Sequence, residues 1–255
     1  MRAAYDGIYF DLKQAIMDGE YRYRDFLPSE AILVKRYRCA HNTVRKALGI
    51  LAQDGFVQPI HGKGVRVIYR PLSLPKGTYS SFQLASISSF FEAGHHHGFM
   101  ASTKVLSMEP MEADEGFAQE TGFLQGERLM HFERVRLLDG RPLIRETNFF
   151  RADIVKGITR EDAEHSIYQY IEKNDLGRIV TSKRIVSIEP ADESDREHLD
   201  LQGANYLANT QVHTFDGDGL LCEASLVRHH PEAFALAHTA IRTTINRSER
   251  RFGFE

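Results

Sequence analysis

Only two cysteines occur in 255 residues, Cys39 and Cys222, far apart and without CxxC spacing. This argues against a disulfide framework and against a zinc knuckle, and both are expected to be packing residues. No apolar run approaches the length a membrane helix needs, and the N-terminal MRAAYDGIYF lacks the apolar centre of a secretory signal, so a cytoplasmic protein is expected. Catalytic signatures are missing as well: there is no nucleophile elbow, Walker loop, dinucleotide fingerprint or HExxH. The histidine run His95-His96-His97 consists of adjacent loop residues that rarely converge on one ion, with no carboxylate at a zinc spacing. Neither a metal nor any other cofactor is expected, and catalysis has little support.

The overall formal charge of −3 conceals an asymmetry. Residues 1–70 hold 12 lysines and arginines against 7 acids, a surplus of five, which leaves −8 on the remainder. A basic first segment on an acidic remainder suggests that the first meets a polyanion and the second does not; a solvated surface could show the same imbalance. The length suits two cores of unequal size.

Between Tyr5 and Asp18, apolar residues recur at the helical period (Tyr5, Ile8, Leu12, Ala15, Ile16), and Gly19 supplies a stop. Pro28 and Ser29 open a second helix with Ile32, Leu33 and Tyr37 as its expected buried side. A third helix begins at Asn42 and lines up Val44, Ala47, Leu48 and Leu51, ending at Asp54-Gly55. Two helices across so short a turn make a helix-turn-helix. The apolar stretches on either side of His61-Gly62-Lys63-Gly64 then read as a hairpin, the wing. Exposed residues at the start of the third helix, His41, Asn42, Thr43, Arg45 and Lys46, are candidates for the major groove, where arginine reads guanine with two hydrogen bonds. At the wing tip, Gly62 and Gly64 allow close backbone approach, with His61 and Lys63 beside the minor groove or its phosphates. The alternatives are a solvated helix face and a generic hairpin turn. RPLSLPKGTYSS, with its prolines and glycine, suits an interdomain linker.

From about Ser81 the pattern changes to strands at Met100–Met108, Arg128–Leu138, Pro142–Phe150, Ile179–Ile188, Tyr206–Phe215 and Leu220–His229. Helices are expected at Ile87–Ala93, Glu112–Glu120, Ser166–Lys173 and Ser194–Leu199. Turns at Asp139-Gly140 and Asp216–Gly219 predict antiparallel neighbours, hence an α+β domain with helices against a mostly antiparallel sheet. Arg134 and Arg136 stand two apart on one strand, so both point to one face; they could clamp a phosphate or form a ladder with Glu133 or Glu146. Ser166 opens a helix whose free N–H groups favour an anion, or is an ordinary N-cap, and Tyr168 adds a hydroxyl nearby.

The run LPSEAILVKRYRCAHNTVRKALGILAQDGFVQPIHGKGVRV resembles the winged helix-turn-helix of GntR regulators across nearly all of residues 5–70. The resemblance implies operator contacts at Arg45, His41, Thr43, His61 and Gly62. This chain carries Ala40-His41 where the family often has Ser-Arg, and Ala31 where it often has Arg, which bears on operator preference. Residues 81–245 resemble the UTRA effector domain of the HutC branch, related in fold to chorismate lyase. The stretches SSFFEAG, HSIYQYIE, IEPADESDREHLDLQG and VRHHPEAF are most similar to the trehalose repressors. That similarity implies a homodimer on palindromic double-stranded DNA, released by a sugar phosphate such as trehalose 6-phosphate. Resemblance to related UTRA domains that bind amino-sugar phosphates implies phosphate contacts at Ser89, Arg134, Arg136, Ser166 and Tyr168 and sugar contacts at Glu146 and Glu223, with His229 where those domains have tyrosine. The domains expected are a winged helix-turn-helix at 1–70, a linker at 71–80, the effector domain at 81–245 and a flexible tail at 246–255. Competing readings are a sensor of another small anion, such as urocanate or a fatty acid, and a lyase-like enzyme.

Overall fold

The structure is a computed structural model that describes residues 4–70, 82–83, 99–237 and 239–240. Ser89, the expected helix at Ile87–Ala93, His95–His97, the linker 71–80 and the tail 246–255 lie outside the described residues. The chain divides into two compact units, Met1–Ser73 with His238–Glu255, and Leu74–Ala237.

In the first unit, α1 (Ala4–Met17) turns Ile8, Leu12 and Ile16 inward. Ser29 caps α2 (Glu30–Tyr37) by accepting from the Ile32 amide, which satisfies an N–H that the first turn leaves without a partner. Ile32 itself departs from expectation, since it is 56% exposed. Leu33, Val34 and Tyr37 define the packed side of this short helix, and a residue one step before Leu33 turns about 100° away from that side. In α3 (His41–Gln53), Val44, Ala47, Leu48 and Leu51 are buried as their spacing requires. Strands β1 (Val57–Ile60) and β2 (Gly64–Val67) pair antiparallel, and the stacked rings of Phe56 and Tyr69 brace their base. Gly62 and Gly64 at the tip both have positive φ, 70° and 106°, where a side chain would strain the backbone.

The second unit contains a two-residue parallel pair, β3 (Phe82–Gln83) with β10 (Leu236–Ala237), and a six-stranded sheet. The sheet strands are β4 (Ala101–Glu112), β5 (Arg128–Leu138), β6 (Arg141–Arg151), β7 (Ile179–Pro190), β8 (Tyr206–Asp216) and β9 (Leu221–His229). Their spatial order is β4-β5-β6-β9-β8-β7 and every pairing is antiparallel. Strand β4 continues through Glu112, beyond the expected end at Met108, because an edge strand tolerates Pro110, whose missing N–H faces no neighbour. Helix α4 (Glu115–Thr121) consequently starts three residues later than expected, capped by Asp114.

One face of the sheet carries α5 (Arg160–Ala163), a turn of helix the sequence pattern did not reveal, and α6 (Ile167–Lys173). Their Ala163, Ile167 and Ile171 pack on Phe132 and Phe150. Arg160 donates to the carbonyls of Val105 and Leu106 at a bulge in β4, closing part of that edge. The opposite face carries α4 at one end and α7 (Glu193–His198) at the other. There Asp195, fully buried, accepts from Arg145 at 3.0 Å and from Arg228 at 2.8 Å. Helix α7 is thereby pinned to β6 and β9.

Candidate functional site

The first unit presents the residues expected to meet DNA as two exposed groups, the start of α3 and the wing tip. His41, Asn42, Arg45 and Lys46 are exposed on α3, while Thr43 is half-buried. Arg45 gives its Nε to Glu30 Oε2 at 2.8 Å and makes no other side-chain bond among the described residues. Its two terminal nitrogens, the pair that reads a guanine edge, therefore point outward on a braced stem. His41 Nδ1 lies 4.0 Å from the same carboxylate oxygen. Lys46 turns back over the ring of Tyr5, with Nζ 3.8 Å from the centroid. At the wing, His61, Gly62, Lys63 and Gly64 are all exposed, and Phe26 supports the tip, with Arg66 stacked on its ring.

In the second unit the α6 face holds a buried polar cluster, assembled by strand alternation. Arg134 on β5 is directly opposite Glu146 on β6, and the row continues through Val227 on β9 to Thr210 on β8. Arg134 is 3% exposed and uses all three of its nitrogens, three of five N–H donors: Nη2 on Glu146 at 2.8 Å, Nε on Asn148 at 3.1 Å and Nη1 on the Ala163 carbonyl at 3.1 Å. Arg136 reaches the other Glu146 oxygen at 2.6 Å. Both arginines thus share one face, and Glu146 is their counter-ion, the ladder partner the sequence left open alongside Glu133. Glu146, for which the resemblance implies a sugar contact, here has both oxygens on guanidinium groups. Glu133, on the opposite face, accepts from Thr147 instead.

Burial drags the Arg134 guanidinium down to about 10, opposed by Glu146, and it remains cationic near neutrality. Burial pushes the Glu146 carboxyl up, but Arg136 and Arg134 outweigh this and hold it below its usual range. A second group lies along the same face. Tyr168 of α6 donates to Glu223 and lies 3.3 Å from Thr214, Ser225 also donates to Glu223, and Asn148 Nδ2 reaches Glu223 at 3.4 Å. Asn148 thus links the Arg134 guanidinium to the Glu223 carboxylate. Burial raises the Tyr168 hydroxyl well above its ordinary value, with Glu223 adding to the shift, so the phenol stays protonated. His229, with no exposed surface, is pushed down to about 3 by burial against the pull of Glu146. Its imidazole is neutral. Ser166 caps α6 by accepting from the Gln169 amide at 3.3 Å. Five of the eight expected effector residues, Arg134, Arg136, Glu146, Tyr168 and Glu223, thus form one connected array, which His229 joins through the field of Glu146. Asn148, Thr214, Ser225 and Arg184, whose charge acts on Tyr168, belong to the same face and were not singled out from sequence. Thr214, Ser225 and Arg184 join through the order of β9, β8 and β7, which no local spacing encodes, and Asn148 through the register of β5 with β6.

The bacterial regulatory proteins, gntR family, signature matches residues 4–67, and the UTRA domain signature matches residues 96–235. The HTH-type transcriptional regulator TreR of Bacillus subtilis is 32% identical over 237 residues, 92% of this chain and 96% of that protein. This chain belongs to the GntR family of transcription regulators, with a UTRA domain. The mannosyl-D-glycerate transport/metabolism system repressor MngR of Escherichia coli is 26% identical over 72% of this chain and 74% of its own length. Among solved structures, the regulator YydK of Bacillus subtilis superposes with a TM-score of 0.73 at 21% identity, covering 94% of this chain and all of that one. The effector-binding domain of the Bacillus subtilis trehalose repressor matches with a TM-score of 0.50 at 26% identity, covering 56% of this chain and 99% of that domain. The chain is therefore a DNA-binding regulator whose UTRA domain takes a small-molecule effector. The relatives named are regulators and not enzymes. Among the described residues no helix is long and apolar enough to cross a membrane.

Proposed function

We propose that this regulator represses a sugar-utilisation operon, trehalose being the leading candidate, and is released from its operator by a sugar phosphate such as trehalose 6-phosphate. Two chains would act as a cytoplasmic homodimer, each winged domain (residues 1–70) on one half of a palindrome. A linker at 71–80 would join it to the effector domain at 81–245, with 246–255 as a tail. Arg45, Thr43 and His41 would enter the major groove, and His61 to Gly64 would track the adjacent backbone, with Lys46 moving off Tyr5 to reach a phosphate.

The observation that carries the effector reading is the cation pair of buried Arg134 and half-buried Arg136, both held by Glu146, on the face that also carries Tyr168. Two guanidinium groups on one face, one of them buried, favour a strong anion over a neutral sugar. Ser89 would complete the phosphate seat, and Glu223 and His229 would face the sugar. The name of the trehalose repressor among the relatives points the same way.

Calorimetry with matched sugars and sugar phosphates tests the reading. A phosphate ester should bind a hundredfold or more tighter than its parent sugar, since each charge-assisted hydrogen bond is worth about 1.5–3 kcal/mol. Equal affinity within each pair would refute it, and binding confined to a non-sugar anion would transfer the site to that class.

A further inference from the structure

The polar cluster does not end at the residues discussed so far. On β8, Thr210 is 2% exposed and its hydroxyl has no hydrogen-bond partner among the described residues. Its side chain is on the α6 face, because its neighbours two residues either way, Ala208 and Val212, stand opposite His229 and Ser225 of that face, while Asn209 bonds Glu189 on the other. A buried hydroxyl without a partner is unfavourable and uncommon, so it demands an explanation. On the next strand, Ser182 of β7 lies opposite Thr214 and likewise has a buried hydroxyl without a partner among the described residues.

We infer that Thr210 is a specificity-determining residue of the effector site, donating its hydroxyl to the end of the ligand remote from the arginines, so that the site prefers a two-ring sugar phosphate to a single hexose phosphate. The inference rests on the sugar-phosphate reading above and deepens it. Thr210, Val227 and Glu146 form one continuous row across β8, β9 and β6. Two strand spacings separate Thr210 from Glu146, ~10 Å. A ligand whose anionic end engages Arg134 and Arg136 must extend past Glu146 and across Val227 before it meets Thr210. The floor along that path alternates carboxylate, apolar surface and hydroxyl, which matches a polyol ring with polar edges and apolar faces. One hexose phosphate occupies the first part of the path, and a second ring brings a hydroxyl to Thr210.

The test is calorimetric titration of the full chain and of T210V and T210S with trehalose 6-phosphate and with glucose 6-phosphate, together with thermal unfolding of the free proteins. T210V preserves shape and removes the donor. It should weaken trehalose 6-phosphate roughly tenfold and leave glucose 6-phosphate within about twofold, whereas T210S should bind as the parent does. The free T210V protein should melt no lower than the parent, since it loses a buried polar group that had no partner. T210V binding both ligands like the parent, or weakening both equally, would overturn the inference while leaving the sugar-phosphate reading intact. A fall in the melting temperature of free T210V that T210S restores would show a structural hydroxyl and overturn it too. If neither phosphate binds the parent protein, the reading beneath it fails, and the inference with it.

Discussion

Glu146→Gln separates a cation pair built for an incoming anion from a sealed internal salt bridge. In the parent, each Glu146 oxygen takes one guanidinium, Arg134 at 2.8 Å and Arg136 at 2.6 Å; Arg134 is buried and Arg136 half-buried. Glutamine keeps the volume and one acceptor but removes the negative charge that both arginines contact. Removing one partner of a buried ion pair costs about 3–5 kcal/mol, because the remaining charge stays desolvated. At about 2–4 °C per kcal/mol for a domain of this size, the melting temperature should drop by roughly 10 °C. If the arginines form the anion seat, inorganic phosphate or glucose 6-phosphate supplies the missing charge. Ligand at a hundred times its Kd contributes about 2.7 kcal/mol, so most of the loss should be regained. Differential scanning fluorimetry of parent and variant over a phosphate series measures this. A variant as stable as the parent, or one that gains no more from phosphate than the parent does, would refute the reasoning. Arg134→Ala is a poorer probe, since it abandons Glu146, Asn148 and the Ala163 carbonyl together. Arg136→Ala leaves the contacts of Arg134 with Asn148 and the Ala163 carbonyl in place and should abolish induction while sparing operator binding.

Arg45→Ala should cost about 1–3 kcal/mol of operator affinity and relax base preference, whereas Lys63→Ala should weaken specific and nonspecific DNA alike; gel shifts at several salt concentrations distinguish them. His229 has a folded value of about 3 against 6.5 unfolded, so the unfolded chain binds more protons between those values. Its contribution is complete above pH 6.5 and is lost as pH falls towards 3. Between pH 7 and 5 the protein should lose about 2 kcal/mol of stability through this group, a loss that His229→Gln should abolish in urea titrations. Asp195→Asn should destabilise by about 3–5 kcal/mol, because Arg145 and Arg228 lose a shared buried counter-ion, and hydrogen exchange should show α7 opening first.

What was legible in the sequence follows the range over which each signal acts. The winged unit is built from local periods, so Leu12, Val44 and Leu51 fall inside as spaced, and Ile32 fails because an eight-residue helix has too few apolar positions to fix its face. The strands of the second unit and their turns were equally local, and the placement of Arg134 and Arg136 on one face needed only the two-residue alternation. Glu133 is turned to the other face by the same alternation, and the register of the β5–β6 hairpin sets Glu146 opposite Arg134. Thr210 remained silent because β9 inserts between β6 and β8 only in the folded sheet. The extension of β4 through Pro110 was hidden by a residue that usually ends strands but is accepted on an edge.

The pairing of Glu146 with both arginines also bears on selectivity under the sugar-phosphate reading. An effector does not enter a site with vacant donors; it competes with a carboxylate already in place. A neutral sugar offers the guanidinium groups nothing better than Glu146 provides, and so gains no electrostatic term. A phosphate, with up to two charges and three accepting oxygens, can hold the arginines and leave the carboxylate to turn towards the sugar hydroxyls. Such an exchange has a direct route to the opposite face, because Glu146 is the chain neighbour of Arg145, and His229 of Arg228. Those two arginines bind Asp195 at the base of α7. Under that reading, a displacement of β6 or β9 at the ligand side would reach the α7 anchor through one backbone step. Weakening operator binding a hundredfold requires only that the effector favour the releasing arrangement by about 2.7 kcal/mol, less than the cost of breaking one buried ion pair.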